Sequence, residues 1–336
     1  MVRIAVIGVG RIGSMHADLL ARRVPGAELA CVADADGEMS GAVGAELGVP
    51  AVGVEAALAL DVDAVAICTS TDTHADLVVA AARAGKAIFC EKPVSLDLAE
   101  VNRALGEVAA AGVPFQIGFN RRFDPAHRAV RDAVAGGQVG DPQLVRISSR
   151  DPAPPPLAYV KVSGGMFLDM TIHDFDMARY VAGSEVVEVF ARGAVTIDPG
   201  FADAGDVDTA LVTLVHENGC LTAIDNSRRA VYGYDQRVEV FGSAGMAASE
   251  NPLVHTALVR TAEGTRMATL PYFYLERYIP SYLCEWDAFV GAIESGRTPP
   301  VTAADARAPL VIGLAAWRSL REHRPVAVAE VEVASA

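Results

Sequence analysis

The sequence predicts an α/β chain: a doubly wound parallel sheet in the N-terminal third, followed by an α+β domain on an open, mainly antiparallel sheet. Three observations predict it. From Val2 to about Gly118, short β-branched runs alternate with longer Ala-rich amphipathic stretches, the pattern of successive βαβ units. The strand candidates there are nearly uninterrupted apolar runs, as in Ala64-Val65-Ala66-Ile67-Cys68, which suits strands covered on both faces. After Arg122 the strand candidates lengthen, and hairpin-type turns such as Glu217-Asn218-Gly219 join them.

Taken in order, strands are expected at residues 3–7, 28–33, 64–68, 87–90 and 115–117, with helices at 12–22, 38–47, 74–84 and 98–111 between them. Three consecutive prolines, Pro154 to Pro156, forbid regular helix or a central strand, so residues 153–156 read as a loop near a domain junction. Beyond it come a helix at 172–181 and strands at 186–195, 208–216, 220–226, 237–242 and 254–261. Helices at 280–295 and 303–322 close the chain. There is no repeat and no low-complexity tract.

The 336 residues suffice for two domains, each with its own core, and the expected division is 1–120 and 121–336, with the closing helices able to pack back on the first domain. A hydrophobic content of 51% with 21% charged residues excludes disordered and fibrous classes. The net charge of −14 disfavours binding to nucleic acid or to anionic membranes, both of which depend on Lys and Arg. Cys31, Cys68, Cys90, Cys220 and Cys284 lie far apart, with no close pair of the kind that builds a zinc or redox site. They read as reduced structural thiols, which points to the cytoplasm. The opening MVRIAVIG enters a strand directly, without the regions of a signal peptide, and every apolar run is cut well before the roughly 18 residues of a membrane helix.

Three motifs carry chemistry. Gly8-Val9-Gly10-Arg11-Ile12-Gly13 follows the first strand and opens the first helix, the context in which such a turn cradles a dinucleotide pyrophosphate. The helix N-terminus then presents unpaired N–H groups to the phosphates. Asp34, at the end of the next strand, is placed to accept bonds from the ribose hydroxyls, favouring NAD over NADP; the alternative is that Asp34 or Asp36 merely caps the next helix. Ser70, Thr71 and His74 follow the third parallel strand at the sheet edge where cofactors lie, although His74 reads equally well as a solvated first-turn residue. Glu91-Lys92-Pro93 follows the next strand, and a lysine at that edge points into the crevice where substrates bind.

The third motif runs from Gly164 to Asp176. Asp169 and His173 are four residues apart, one helical turn, so a carboxylate can orient an imidazole acting as acid or base. Read alone, the pair also fits a capping Asp beside an incidental His. Two ligands without a third make a poor metal site, and no metal is expected.

Together the GxGxxG, the EKP near residue 90 and the GGxxxDxxxHDxD resemble the glucose-fructose oxidoreductase and inositol dehydrogenase (Gfo/Idh/MocA) family over essentially the whole chain. Gly118-Phe119-Asn120-Arg121-Arg122-Phe123-Asp124, Ser149-Arg150-Asp151-Pro152 and Tyr232-Gly233-Tyr234-Asp235 bring it nearest to the family's inositol 2-dehydrogenases. The resemblance implies a Rossmann domain with a substrate-binding and oligomerising C-terminal domain, and NAD-dependent oxidation of a cyclic polyol, myo-inositol first, in a homodimer or homotetramer. It implies a catalytic group of Lys92, Asp169 and His173, with Arg121, Asp151 and Tyr232 contacting substrate hydroxyls. Gly8, Gly10, Arg11, Ile12, Gly13, Asp34, Ser70, Thr71, His74, Glu91 and Lys92 form the expected cofactor site. Ser149 stands where some inositol dehydrogenases carry histidine, so an aldose, a sugar phosphate or another inositol isomer stays open as substrate. A non-catalytic dinucleotide sensor is the rival of a different class.

Overall fold

The computed structural model describes residues 1–334. In chain order the elements begin with β1 (Val2–Ile7), α1 (Arg11–Arg22), β2 (Ala27–Ala33), α2 (Gly37–Leu47), β3 (Ala51–Val52) and α3 (Val54–Ala59). Then come β4 (Ala64–Ile67), α4 (Thr71–Arg83), β5 (Ala87–Glu91), α5 (Leu98–Ala111) and β6 (Phe115–Gly118). Next are α6 (Pro125–Ala135), β7 (Pro142–Arg150), α7 (Leu157–Val160), α8 (Ile172–Ala182), β8 (Val186–Ala194), α9 (Gly200–Asp203), β9 (Thr209–His216) and β10 (Leu221–Ser227). The last are β11 (Asp235–Gly242), β12 (Gly245–Ser249), β13 (Val259–Thr261), β14 (Gly264–Arg266), α10 (Tyr274–Arg277), α11 (Ile279–Ser295), α12 (Ala303–Glu322), β15 (Val326–Ala327) and α13 (Val328–Ala334). Two compact units result: Met1–Asn120 with Tyr282–Leu310, and Arg121–Ser281 with Val311–Ala334.

The first unit holds a six-stranded, wholly parallel sheet in the order β3-β2-β1-β4-β5-β6. Strand order reverses between β1 and β4, and in such sheets ligands bind beyond the carboxyl ends of the strands at that point. Residues 4–7 and 64–67 are buried throughout, as continuous apolar runs require. Asp36 and Asp97 start α2 and α5 by accepting first-turn N–H bonds. Trp286 of α11 lies with its ring 4.4 Å from that of Phe89 on β5, and Phe289 packs edge-on against both.

The second unit is built on a seven-stranded sheet in the order β12-β11-β7-β10-β9-β8-β15. Every pairing is antiparallel except β7 with β10, so the sheet is mixed and mostly antiparallel. Helices α6 and α8 cover one face, where Val145, Ile147, Val212, Leu214, Ile224, Val238 and Val240 are buried. The opposite face leaves Leu211, Leu221, Phe241 and Met246 exposed.

Three expectations change. The strand expected at 254–261 is reduced to β13, paired with β14 in a small separate hairpin; Val254 is 61% exposed, so its apolar residues reflect no buried face. Helices α3, α6, α7, α9, α10 and α13 and strands β3, β7, β12, β14 and β15 were not expected. The helix expected at 172–181 is preceded by a π-helical turn at Met166–Met170.

Candidate functional site

The glycine turn is built by close approach. Gly8 sits at φ +89°, and a Cβ there would lie 2.5 Å from the Thr69 nitrogen; a Cβ on Gly13 would lie 1.9 Å from the Gly8 carbonyl oxygen. Gly10 faces open space, with nothing within 4 Å of its Cβ position, and as N-cap of α1 it brings no side chain of its own to cap the first turn. Open backbone and uncapped donors at a helix N-terminus fit a diphosphate. Arg11 beside them is exposed and Ile12 half-buried.

Asp34 directly follows β2 and braces the same turn. Its Oδ2 accepts from the Val9 N–H (2.7 Å) and its Oδ1 from Asp36 N–H (3.0 Å). The helix-capping role belongs to Asp36, which accepts from the N–H groups of Glu38 and Met39. Asp34 is thus a half-buried carboxylate fixed beside the glycine turn.

Further along the same sheet edge, Ser70 is an exposed N-cap and Thr71 the first residue of α4. His74 is 2% exposed, so the solvated reading fails. Its Nδ1 bonds the Pro93 carbonyl (2.8 Å) and its Nε2 the Thr69 carbonyl (3.0 Å), tying the loop after β4 to the loop after β5. Glu91 is also turned inward: Oε1 meets His16 Nε2 (2.8 Å) and Oε2 accepts from the Lys92 N–H (3.2 Å). The Trp286 indole N–H donates to His16 Nδ1 (2.9 Å), so the His16 proton resides on Nε2, where it bonds Glu91. The backbone of Lys92 is therefore anchored through a buried Trp–His–Glu chain, and its side chain is half-buried.

In the second unit, Asp169 belongs to the π-helical turn, closed by the Thr171 N–H on the Met166 carbonyl (2.9 Å), and His173 to the first turn of α8. Such turns recur at functional sites. Both side chains are half-buried. Tyr159 donates to Asp169 Oδ1 (2.9 Å), and Arg228 donates through Nη2 to Asp169 Oδ2 (3.1 Å) and through Nη1 to Asp151 Oδ2 (3.4 Å). Burial pushes the Asp151 carboxyl up, Arg228 pulls it back, and the charge of Asp169 pushes it further.

Arg121 is buried with Nη1 on Asp174 Oδ1 (2.7 Å), while Asn226 donates to the other Asp174 oxygen (2.8 Å). Burial raises Asp174 to about 6 against the pull of Arg121. Ser149 donates to Gln236 Oε1 (2.9 Å) within reach of Arg121 Nη1 (3.4 Å). Tyr232 belongs to another cluster: it donates to Asp235 Oδ2 (2.6 Å) and accepts from Arg150 Nη1 (2.9 Å).

Four participants escaped the sequence reading: Tyr159, Arg228, His16 and Trp286. Arg228 lies 59 residues from Asp169, and Trp286 lies 270 from His16, so no local spacing announces them. Among the described residues, no group of three or more His, Cys, Asp or Glu side chains could hold a metal ion, and no helix is long and apolar enough to cross a membrane.

Residues 2–119 match the family model described as an oxidoreductase family with an NAD-binding Rossmann fold, and residues 127–248 match the GFO/IDH/MocA C-terminal domain. Myo-inositol 2-dehydrogenase of Thermotoga maritima is 48% identical over 332 residues, spanning 98% of this chain and 99% of its own. Inositol 2-dehydrogenase of Rhizobium meliloti is 45% identical over 329 residues, spanning 98% and 99%. The crystal structure of scyllo-inositol dehydrogenase from Lactobacillus casei with bound NAD(H) and scyllo-inositol superposes with a TM-score of 0.91 at 30% identity, covering 98% of each chain.

Proposed function

Since the chain belongs to the GFO/IDH/MocA family of oxidoreductases, we propose that it is an NAD-dependent dehydrogenase oxidising a secondary hydroxyl of a cyclic polyol, myo-inositol to the 2-keto inositol. The observation that carries the reading is the Asp169–His173 pair on the turn into α8, in a chain 45–48% identical to two inositol 2-dehydrogenases. The uncapped cradle at Gly10 and the carboxylate of Asp34 support NAD as cofactor.

When bound, the nicotinamide accepts the hydrogen and electron pair that leave the alcohol carbon. His173 takes the hydroxyl proton, and Asp169 orients the imidazole and balances the charge it acquires. The Lys92 ammonium stabilises the developing alkoxide, an electrostatic contribution of about several kcal/mol in a site that excludes water. Gly8, Gly10, Arg11, Ile12 and Gly13 receive the pyrophosphate and Asp34 the ribose, with Ser70 and Thr71 beside them. His74 and Glu91 serve by setting the loops at Thr69 and Lys92. Arg121, Asp151 and Tyr232 present polar groups to the substrate's remaining hydroxyls. Assembly into a homodimer or homotetramer is supported by the apolar residues left on the open sheet face, and a cytoplasmic setting by five free cysteines, four of them buried.

The test is turnover by a His173→Ala variant across pH. A loss of roughly 10²- to 10⁴-fold is expected, and near-normal rates at every pH would remove His173 as the base. A panel of inositol isomers, aldoses and sugar phosphates, each with NAD and with NADP, checks the substrate. A clear preference for an aldose or a sugar phosphate would overturn the inositol assignment.

A further inference from the structure

We propose that Arg228 is a positioning residue for this reaction, holding the Asp169 carboxylate charged and aimed on the turn that leads to His173, and so setting the acid limit of turnover. The roles of Asp169 and His173 rest on the functional reading above, while the clamp is geometry within a single unit.

Arg228 follows β10 directly, and its own backbone N–H is fixed on the Asp208 carbonyl (2.8 Å). Its side chain is 3% exposed, so its charge has little water to rely on. The guanidinium splits between two carboxylates, Asp169 at 3.1 Å and Asp151 at 3.4 Å, and the hydroxyl of Tyr159 holds the second oxygen of Asp169 at 2.9 Å. A third buried carboxylate, Asp206, also acts electrostatically on Arg228 and accepts from the N–H of Met166, the residue that opens the π-helical turn. One cation thus faces three carboxylates gathered around the start of that turn.

Without the guanidinium, Asp151 and Asp169 repel each other in a poorly solvated space, and uptake of a proton relieves the repulsion. Burial and the charge of Asp169 push the Asp151 carboxyl up and Arg228 pulls it down, so the guanidinium is the counter-charge that the two carboxylates share. An Asp169 that has gained a proton no longer balances an imidazolium at His173. Lysine would keep the charge but cannot bridge both carboxylates, since its ammonium is a point donor rather than a planar fork.

Arg228→Lys and Arg228→Gln, in the full-length chain, are compared with the parent by kcat as a function of pH at saturating NAD and myo-inositol. The Asp169 carboxyl is followed in parallel by carbon-13 NMR, assigned with Asp169→Asn. The acid limb of kcat, below which His173 carries its proton and cannot act as base, is expected to move up by about one pH unit or more in Arg228→Gln, because loss of the cation favours a proton on His173 as well as on the carboxylates, and by less in Arg228→Lys, with the KM for NAD unchanged. The Asp169 carboxyl should titrate at higher pH in step. A purely structural role would lower thermal stability and leave both titrations where they were, and that result overturns the proposal. If Arg228→Gln does not fold, Arg228→Lys decides. The NMR titration needs no turnover: a shifted carboxyl in a chain that oxidises no polyol would sustain the clamp and sink the functional reading, whereas an unshifted carboxyl in an active enzyme would sink the clamp alone.

Discussion

Gly10 and Gly13 stand three residues apart in one turn, yet alanine should act on them in opposite ways. At Gly13 the new methyl would lie 2.8 Å from the Gly8 carbonyl carbon and 1.9 Å from its oxygen, the latter more than an ångström inside the 3.0 Å that real Cβ contacts respect. The obstacle is backbone and cannot rotate aside, so α1 must lift from β1, loosening the packing of Ala17, Leu19 and Leu20. Overpacking typically costs about 1–3 kcal/mol, and a clash with backbone belongs at or above the upper end. At Gly10 the backbone is extended, with φ −62°, and nothing lies within 4 Å of the new methyl. Folding should lose about 1 kcal/mol or less there, the cost of a poor N-cap. The same methyl occupies the space through which a diphosphate reaches the uncapped N–H groups, so NAD should bind at least about tenfold more weakly, a loss of roughly 1.4 kcal/mol. Calorimetric melting of the apo chain and titration calorimetry with NAD measure the two quantities. Gly10→Ala with undiminished NAD affinity, or Gly13→Ala melting with the parent, would refute the reasoning.

Two further outcomes are expected. His127, at the start of α6 with Nδ1 on Ser249 Oγ (2.8 Å), is held down to about 4 by burial and by Arg277 and Arg121, although Asp124 pulls it up. A depressed histidine contributes stability above its ordinary value of 6.5 and loses it as pH falls. Stability should therefore drop by roughly 3 kcal/mol between about pH 6.5 and 4, and His127→Gln should flatten that part of the melting-temperature profile; an unchanged slope would contradict it. Trp286→Phe retains an aromatic ring to pack on Phe89 and Phe289 but removes the donor to His16. It should lower unfolding stability in urea by about 1–3 kcal/mol and reduce kcat, since Glu91 then holds the backbone of Lys92 less firmly. A parental midpoint and rate would show that the buried chain anchors nothing.

Much of the architecture was legible because burial leaves simple marks. Strands buried on both faces must be apolar, and β4 is throughout, as is β1 from Ile4 onward, after the exposed Arg3. The glycine turn, the EKP and the segment from Gly164 to Asp176 were legible because each is contiguous. Strand β7 was not, because its inward positions pass from Val145 and Ile147 to Ser149, so the apolar alternation fails where the strand reaches the polar cluster. Residues 254–261 misled for the converse reason, carrying apolar side chains that face outward. Arg228, followed by Arg229, looks like a solvated pair, and only the fold brings Asp151 and Asp169 to it from 77 and 59 residues away. His74 offered two readings, and the carbonyls of Thr69 and Pro93 that hold it are loop atoms with no side-chain signature.

Strand β7 is the first strand of its sheet to leave the ribosome, yet it lies in the interior, flanked by β11 and β10. Until β10 begins at residue 221 both of its backbone edges lack their final partners, one stays open until β11 is made, and the strands made in between, β8 and β9, do not pair with it. Nascent or truncated chains ending between residues 150 and 221 therefore carry a strand open on two sides, the arrangement most prone to pairing with other copies. The yield of the unit in the cell should therefore depend on how quickly, and with what chaperone protection, that stretch is completed.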